Sequence, residues 1–289
     1  MDRRSFLQAG IAASTTAAIA PTALADDAAK PAAPDAPAPG RLRQSVCAWC
    51  YGGTKLEDLC AIAKRVGIGS IELLDEAQWK VVQSNGLACA VANGPGGITK
   101  GWNRTEHHDE LVRRSEELLP KVAAAGIPQM IVFSGNRAGL DDAAGMRNCA
   151  QGLRRIMPLA EKAGVTVIME LLNSKVDHKD YMCDRTAWGA GLCEAVGSGR
   201  FKLLYDIYHM QIMEGDVIRT IREHHRHIGH YHTAGNPGRS NLDDAQELNY
   251  RGICEAIAGT GFDGWLGQEF MPRGNPEQAL AAAVRTCTV

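Results

Sequence analysis

No excess of positive charge runs through this chain. Its 31 Lys and Arg stand against 33 Asp and Glu, a formal net charge of −2. It therefore lacks the basic surplus with which proteins neutralise nucleic-acid phosphates, and no nucleic-acid partner is expected. It also lacks a paired cysteine framework. The nine cysteines are odd in number and scattered, and several sit inside apolar runs, as buried free thiols do. Cys47-Ala48-Trp49-Cys50 invites a redox reading, but the stretch reads as a first strand. Residues three apart on a strand are separated by about 10 Å, too far to bridge. The glycines of Gly94-Pro95-Gly96-Gly97 are too irregularly spaced for a phosphate cradle. With Trp102 they read as a loop over one end of the fold, Trp102 walling off a substrate.

The N-terminal stretch has too little Leu and Ile for a membrane anchor. Ser5 to Ala25 is just long enough to span a bilayer, but Ala, Thr and Ser dominate it. Arg3-Arg4-Ser5-Phe6-Leu7 resembles a twin-arginine export motif, and Ala23-Leu24-Ala25 is an A-x-A-like cleavage signal. Residues 1–25 are thus expected to be a cleavable leader for folded export to the periplasm, with no stable membrane insertion afterwards. Residues 26–40 are rich in Pro and Ala with almost nothing bulky to bury, and should form an extended, disordered linker. The remaining stretch, 41–289, is close to the ~250 residues of a single (β/α)8 barrel.

Strand and helix patterns alternate throughout it. Strands are expected at Gln44–Cys50, Gly69–Leu74, Leu87–Asn93, Gln129–Phe133 and Val165–Glu170, then at runs ending near Asp206, His232 and Glu269. Helices are expected at Leu56–Val66, Glu76–Ser84, Glu106–Ala125, Asp141–Ala163, Tyr181–Val196, Asp216–Arg226, Tyr250–Ala258 and Pro276–Thr286. Near-continuous apolar strand cores point to a parallel α/β sheet covered by helices. The last four strands end in Glu170, Asp206, His232 and Glu269, with intervals close to the ~30 residues of a βαβ step. In an open sheet four consecutive strand ends would lie in a row about 15 Å long, beyond the reach of one ion. A closed barrel curves them around one mouth.

Residues two apart on a strand share a face. Ile168 with Glu170, Leu204 with Asp206, His230 with His232 and Gly267 with Glu269 should therefore point inward as pairs. Gly267 leaves room in the layer beneath the site. Three carboxylates and one imidazole without thiolates suit one divalent ion, Mn2+, Mg2+, Co2+ or Zn2+, rather than a closed structural zinc site.

The blocks Val167-Ile168-Met169-Glu170-Leu171-Leu172-Asn173, Tyr205 to Asp216 (YDIYHMQIMEGD), Gly229 to Arg239 (GHYHTAGNPGR) and Gly267-Gln268-Glu269-Phe270 resemble the hydroxypyruvate isomerases. These belong to the xylose isomerase-like TIM barrels, with the ketose 3-epimerases nearby. The resemblance runs from about residue 43 to the end. It implies that Glu170, Asp206, His232 and Glu269 bind the metal, that Glu170 and Glu269 are the acid/base pair, and that His209 and Arg239 bind substrate. It departs at His232, where hydroxypyruvate isomerases carry Gln and ketose 3-epimerases carry His. Asn173 is a candidate for orienting Glu170 or a substrate hydroxyl, His230 for supporting His232, and Glu72 for hydrogen bonding inside the barrel.

The expected activity is isomerisation or epimerisation of a small keto acid or ketose. A lyase acting on a keto sugar shares the first step, α-proton removal, and a non-catalytic sugar-binding barrel shares the site. An endonuclease of the same fold would need a multi-zinc, histidine-rich site and a basic face, neither of which is visible. A homo-oligomer is left open.

Overall fold

Eight short strands line one parallel sheet: β1 (Arg43–Cys47), β2 (Ser70–Glu72), β3 (Val91–Ala92), β4 (Gln129–Val132), β5 (Thr166–Glu170), β6 (Phe201–Asp206), β7 (Ile228–Thr233) and β8 (Trp265–Gln268). The computed structural model describes residues 41–289; the leader and linker readings at 1–25 and 26–40 lie outside the described residues. The strand order is β2-β1-β8-β7-β6-β5-β4-β3. Parallel bridges Ser70–Ala88 and Leu74–Ala92 join its two ends, with Ile71 N donating to Ala88 O at 3.0 Å and Leu73 N to Val91 O at 2.9 Å. The sheet is a TIM barrel.

The period-two alternation sorts its side chains. Ile131, Ile168 and Leu204 form a small cluster inside the barrel. Val167, Met169, Leu203 and Tyr205 face the other way, into the larger core beneath the helices. Side chains on both faces of the sheet are buried, which is why the strands read as unbroken apolar runs.

The helices are α1 (Leu56–Arg65), α2 (Glu76–Ser84), α3 (His108–Ala124), α4 (Asp142–Arg154), α5 (Met157–Ala163), α6 (Thr186–Val196), α7 (Ile207–Met213), α8 (Val217–His224), α9 (Tyr250–Gly259) and α10 (Pro276–Cys287). No helix among the described residues is long and apolar enough to cross a membrane.

Three local expectations are corrected. The single helix Asp141–Ala163 is two, because Pro158 lacks the N–H that a continuous helix needs and instead sits in the first turn of α5. The helix expected from Tyr181 begins only at Thr186. Tyr181 is drawn inward, where its hydroxyl donates to Glu170 O and accepts from Ser134 N, both at 3.0 Å. The first strand ends at Cys47, and Ala48–Tyr51 turn into a 3-10 helix. Cys47 and Cys50 are nevertheless free and buried, and burial raises both thiols well above their ordinary range. Such thiols are poor nucleophiles.

Candidate functional site

Four strands deliver one group each to the barrel mouth. Asp206 and His232 sit level across β6 and β7, and His232 is level with Gly267 on β8. One ligand atom from each of Glu170, Asp206, His232 and Glu269 lies within 4.8 Å of the others. All four residues are buried. Three atoms of these groups, Glu170 Oε1, Asp206 Oδ2 and His232 Nδ1, make no well-directed hydrogen bond, although His232 Nδ1 stands 3.0 Å from Glu269 Oε2 and 3.5 Å from Glu170 Oε1. A buried polar atom left unpaired is costly, so three facing one another mark a place built for something else. Hard oxygens and one imidazole nitrogen fit a divalent ion.

The charges point the same way. Burial, then the neighbouring Glu269, raises the pKa of Glu170. Burial also raises Asp206 well above the usual carboxylate range, despite Arg239. Burial works against ionised Glu269 too, but Arg239 and His232 hold it well below that range. The cluster is short of positive charge, and Glu170 and Asp206 carry the deficit. Burial disfavours charge on His232, yet Cys47 and Glu269 raise its pKa well above the ordinary histidine value. Binding a cation through Nδ1 would displace that proton, so metal affinity should rise with pH.

Beneath the site, Glu72 fills the space that Gly267 leaves. His232 Nε2 donates to Glu72 Oε1 at 2.7 Å and His230 Nε2 to the same oxygen at 2.9 Å, while Ser45 Oγ donates to Oε2. This bond fixes the ring of His232 so that Nδ1 faces the mouth. His230 therefore shares Glu72 Oε1 with His232, and the two rings also meet edge to face with centroids 5.1 Å apart. A Cβ at position 267 would lie 2.4 Å from Glu72 Oε1 and 2.8 Å from His232 Cδ2. Gly267→Ala is accordingly expected to cost about 1–3 kcal/mol of stability and to weaken metal binding by roughly tenfold or more. Urea unfolding and metal titration check it; unchanged metal affinity would show that Glu72 does not set the imidazole.

Asp206 also caps α7, accepting from His209 N at 2.8 Å. That cap turns the chain so that His209 comes back beside Asp206, with Nε2 3.9 Å from Asp206 Oδ2. Burial, then Arg239, lowers the pKa of His209 well below its ordinary value, so the ring is neutral. Its tautomer follows from Asn173. Asn173 Oδ1 accepts from Val176 N and Asp177 N at 3.0 and 2.9 Å, which leaves Nδ2 to donate to His209 Nδ1 at 2.6 Å. The ring proton is then on Nε2, which faces Arg239 Nη1 at 3.1 Å. Two donors converge there with no acceptor between them. Asn173 thus orients His209, and its side chain makes no hydrogen bond to Glu170.

Arg239 donates to Glu269 Oε2 at 2.5 Å and lies between two rings, 5.0 Å from the Trp49 centroid and 5.5 Å from that of Tyr208. Trp49 Nε1 donates to Glu269 Oε1 at 2.8 Å. Both oxygens of Glu269 are therefore engaged. Trp102 is corrected: it is fully buried, packs beside His108 and against Gly152, and does not line the cavity. The wall is made by Trp49 and Phe133. Nothing in the spacing of Trp49 marked it, because the strand reading of Gln44–Cys50 hid the turn that brings it over the mouth.

The cavity above the cluster has a volume of about 390 Å³. Glu170, Glu269, Arg239 and His178 form its polar side, and Leu73, Ile98, Ile131 and Phe133 its apolar side.

The profile of the xylose isomerase-like TIM barrel family matches residues 57–287. The chain belongs to that family. It is 38% identical over 121 residues to 2-oxo-tetronate isomerase of Cupriavidus necator, covering 42% of this chain and 46% of that protein. It is 29% identical over 209 residues to hydroxypyruvate isomerase of Escherichia coli, covering 69% and 79%. The chain thus spans about half the length of the first of these curated relatives. Among solved structures, an AP endonuclease, family 2, from Brucella melitensis superposes with a TM-score of 0.76 at 23% identity, covering 83% of this chain and 97% of that one. That likeness speaks for the fold alone. Trp49, Asn173 and His178, all near the mouth, lie on none of the strands.

Proposed function

We propose that this protein is a metal-dependent isomerase or epimerase of a small hydroxy-keto acid or ketose. The observation that carries the reading is the convergence of three buried ligand atoms without a well-directed hydrogen bond at the floor of a cavity whose polar side holds two carboxylates of opposite tendency. The names of the matching relatives support it. Glu170, Asp206, His232 and Glu269 would hold one divalent ion. When bound, such an ion supplies Lewis-acid stabilisation of the negative charge that develops on the substrate's oxygens during α-proton removal.

The chain's own groups divide the remaining work. Arg239 and Trp49 keep Glu269 ionised and fix its plane, so Glu269 takes the α-proton. Glu170 would return a proton taken from solvent to the neighbouring carbon or opposite face, working through an oxygen that the ion leaves free. His209 Nε2–H and Arg239 Nη1 point at one position, which an oxygen of the substrate's polar end can occupy while accepting from both.

The test is solvent deuterium incorporation into candidate keto acids and ketoses. Exchange is expected with added Mn2+, to fall to background with chelator, and to return when metal is restored. An unsaturated product absorbing in the ultraviolet would mean a lyase instead, and tight binding without exchange a non-catalytic barrel. The proposal includes twin-arginine export to the periplasm with cleavage after Ala25; N-terminal sequencing of the exported protein is expected to begin at Asp26, and an intact Met1 would refute it.

A further inference from the structure

The loop after β5 carries a carboxylate that the acid/base and metal chemistry leaves unused. Asp177 does not line the cavity, and its side chain is 31% exposed, so water answers part of its charge. One of its oxygens nevertheless serves two buried side chains. Asn173 Nδ2 donates to Asp177 Oδ2 at 2.7 Å, and Tyr208 Oη donates to the same oxygen at 2.9 Å. The ring of His209 stands between this carboxylate and the metal ligands: Nδ1 is 3.9 Å from Asp177 Oδ2, and Nε2 is 3.9 Å from Asp206 Oδ2. Whatever Asp177 does at the site, it does through other side chains.

We infer that Asp177 is a positioning residue: through Asn173 and Tyr208 it holds His209 and Arg239 so that their two donors meet at one point, where the substrate's polar end binds. This rests on the isomerase reading above and extends it to the residue that prepares its substrate seat.

The geometry follows from the planarity of an amide. Val176 N and Asp177 N pin Asn173 Oδ1 at 3.0 and 2.9 Å, and Asp177 Oδ2 takes one hydrogen of Nδ2. With the oxygen and one hydrogen fixed, the other hydrogen has a single direction left, and it points at His209 Nδ1, 2.6 Å away. Asp177 thus grips Asn173 with both its backbone and its side chain. Tyr208, the second donor, meets His209 edge-on with centroids 5.1 Å apart, and its ring centroid lies 5.5 Å from Arg239 Cζ. A carboxylate suits this work because it only accepts and binds donors more strongly than a neutral oxygen does. On the far flank Lys175 Nζ donates to Ile212 O and Met213 O at 2.9 and 3.1 Å. The same loop therefore also holds the last turn of α7, the helix that carries Tyr208 and His209.

The test reads the ring of His209 directly, in full-length protein loaded with diamagnetic Mg2+ and labelled with 15N-histidine. The His209 signals are those lost in His209→Gln. In wild type Nδ1 is expected at the shift of a bare, hydrogen-bonded nitrogen and Nε2 at that of a protonated one. In Asp177→Ala the two shifts should move toward each other as tautomers mix. Asp177→Asn, which keeps an acceptor oxygen, should recover most of the difference, and Tyr208→Phe, which leaves the Asn173 link whole, should keep the wild-type tautomer. Deuterium exchange into hydroxypyruvate and 2-oxo-tetronate gives the second readout. Asp177→Ala should raise KM about tenfold, the size of one good hydrogen bond, with kcat changed by no more than about twofold. Unchanged His209 signals in Asp177→Ala, whatever its stability in urea, would show a merely structural role and overturn the inference. So would a fall in kcat at constant KM, which would put Asp177 in the chemistry itself. No exchange with wild type would sink the isomerase reading, while the His209 signals still decide on Asp177.

Discussion

Glu170→Gln and Glu269→Gln are each expected to lower solvent exchange of the substrate's α-proton by at least about 10²–10⁴-fold, the usual contribution of a positioned acid or base. The substitutions keep shape and remove only the ability to carry a proton, so the folded protein should persist. The two should differ in a second respect. Glu269 accepts from both Trp49 Nε1 and Arg239 Nη2. A glutamine there keeps one acceptor oxygen and turns a donor toward one of these groups, so Arg239 loses its clamp and substrate affinity should change along with rate. Glu170 Oε1 has no such partner, and its replacement should act mainly on rate and on metal binding. Deuterium exchange followed by NMR, with metal content measured alongside, checks both. Near wild-type exchange in either variant would remove that residue from the mechanism.

In metal-free protein, Glu72→Gln is expected to cost about 3 kcal/mol of stability at neutral pH, because it leaves a buried ion pair with one charge unanswered. Glu72 is fully buried and receives His230, His232 and Ser45. Burial raises its pKa, but the two imidazoles outweigh burial and hold it below its ordinary value of 4.5. A carboxylate with a depressed folded pKa contributes stability that is fully present above the unfolded value and is lost as pH falls through the folded one. The gap between wild type and Glu72→Gln should therefore narrow as pH falls below about 4.5. Urea unfolding across that range measures this. A gap that does not change with pH would mean that Glu72 is already protonated in the folded state. The same variant should bind metal roughly 10- to 100-fold more weakly, because His232 loses the acceptor that aims Nδ1 at the mouth.

Much of the barrel could be read along the chain because its signals are local. Apolar runs ending at Glu170, Asp206, His232 and Glu269 recur at the spacing of one βα unit, and period-two alternation places Ile168, Leu204, His230 and Gly267 one layer below them. Those positions follow from strand geometry, whatever the rest of the molecule does. Gly267 belongs with them, since the missing side chain is a property of the residue itself.

The loops and the pairings across the barrel were decided only by the folded chain. Trp102 has the composition of a lid residue but is consumed by packing against Gly152 and His108, whereas Trp49 reaches the mouth because the backbone turns at Ala48. Asn173 follows Glu170 in sequence, yet its bonds go to His209, a neighbour brought close by the cap that Asp206 places on α7. Glu72 meets His230 and His232 across the barrel from strands far apart in the chain. Periodicity records which face a residue takes, because that depends on the backbone of a few neighbours. It holds no record of which distant group waits on that face, because such contacts exist only once the sheet has closed.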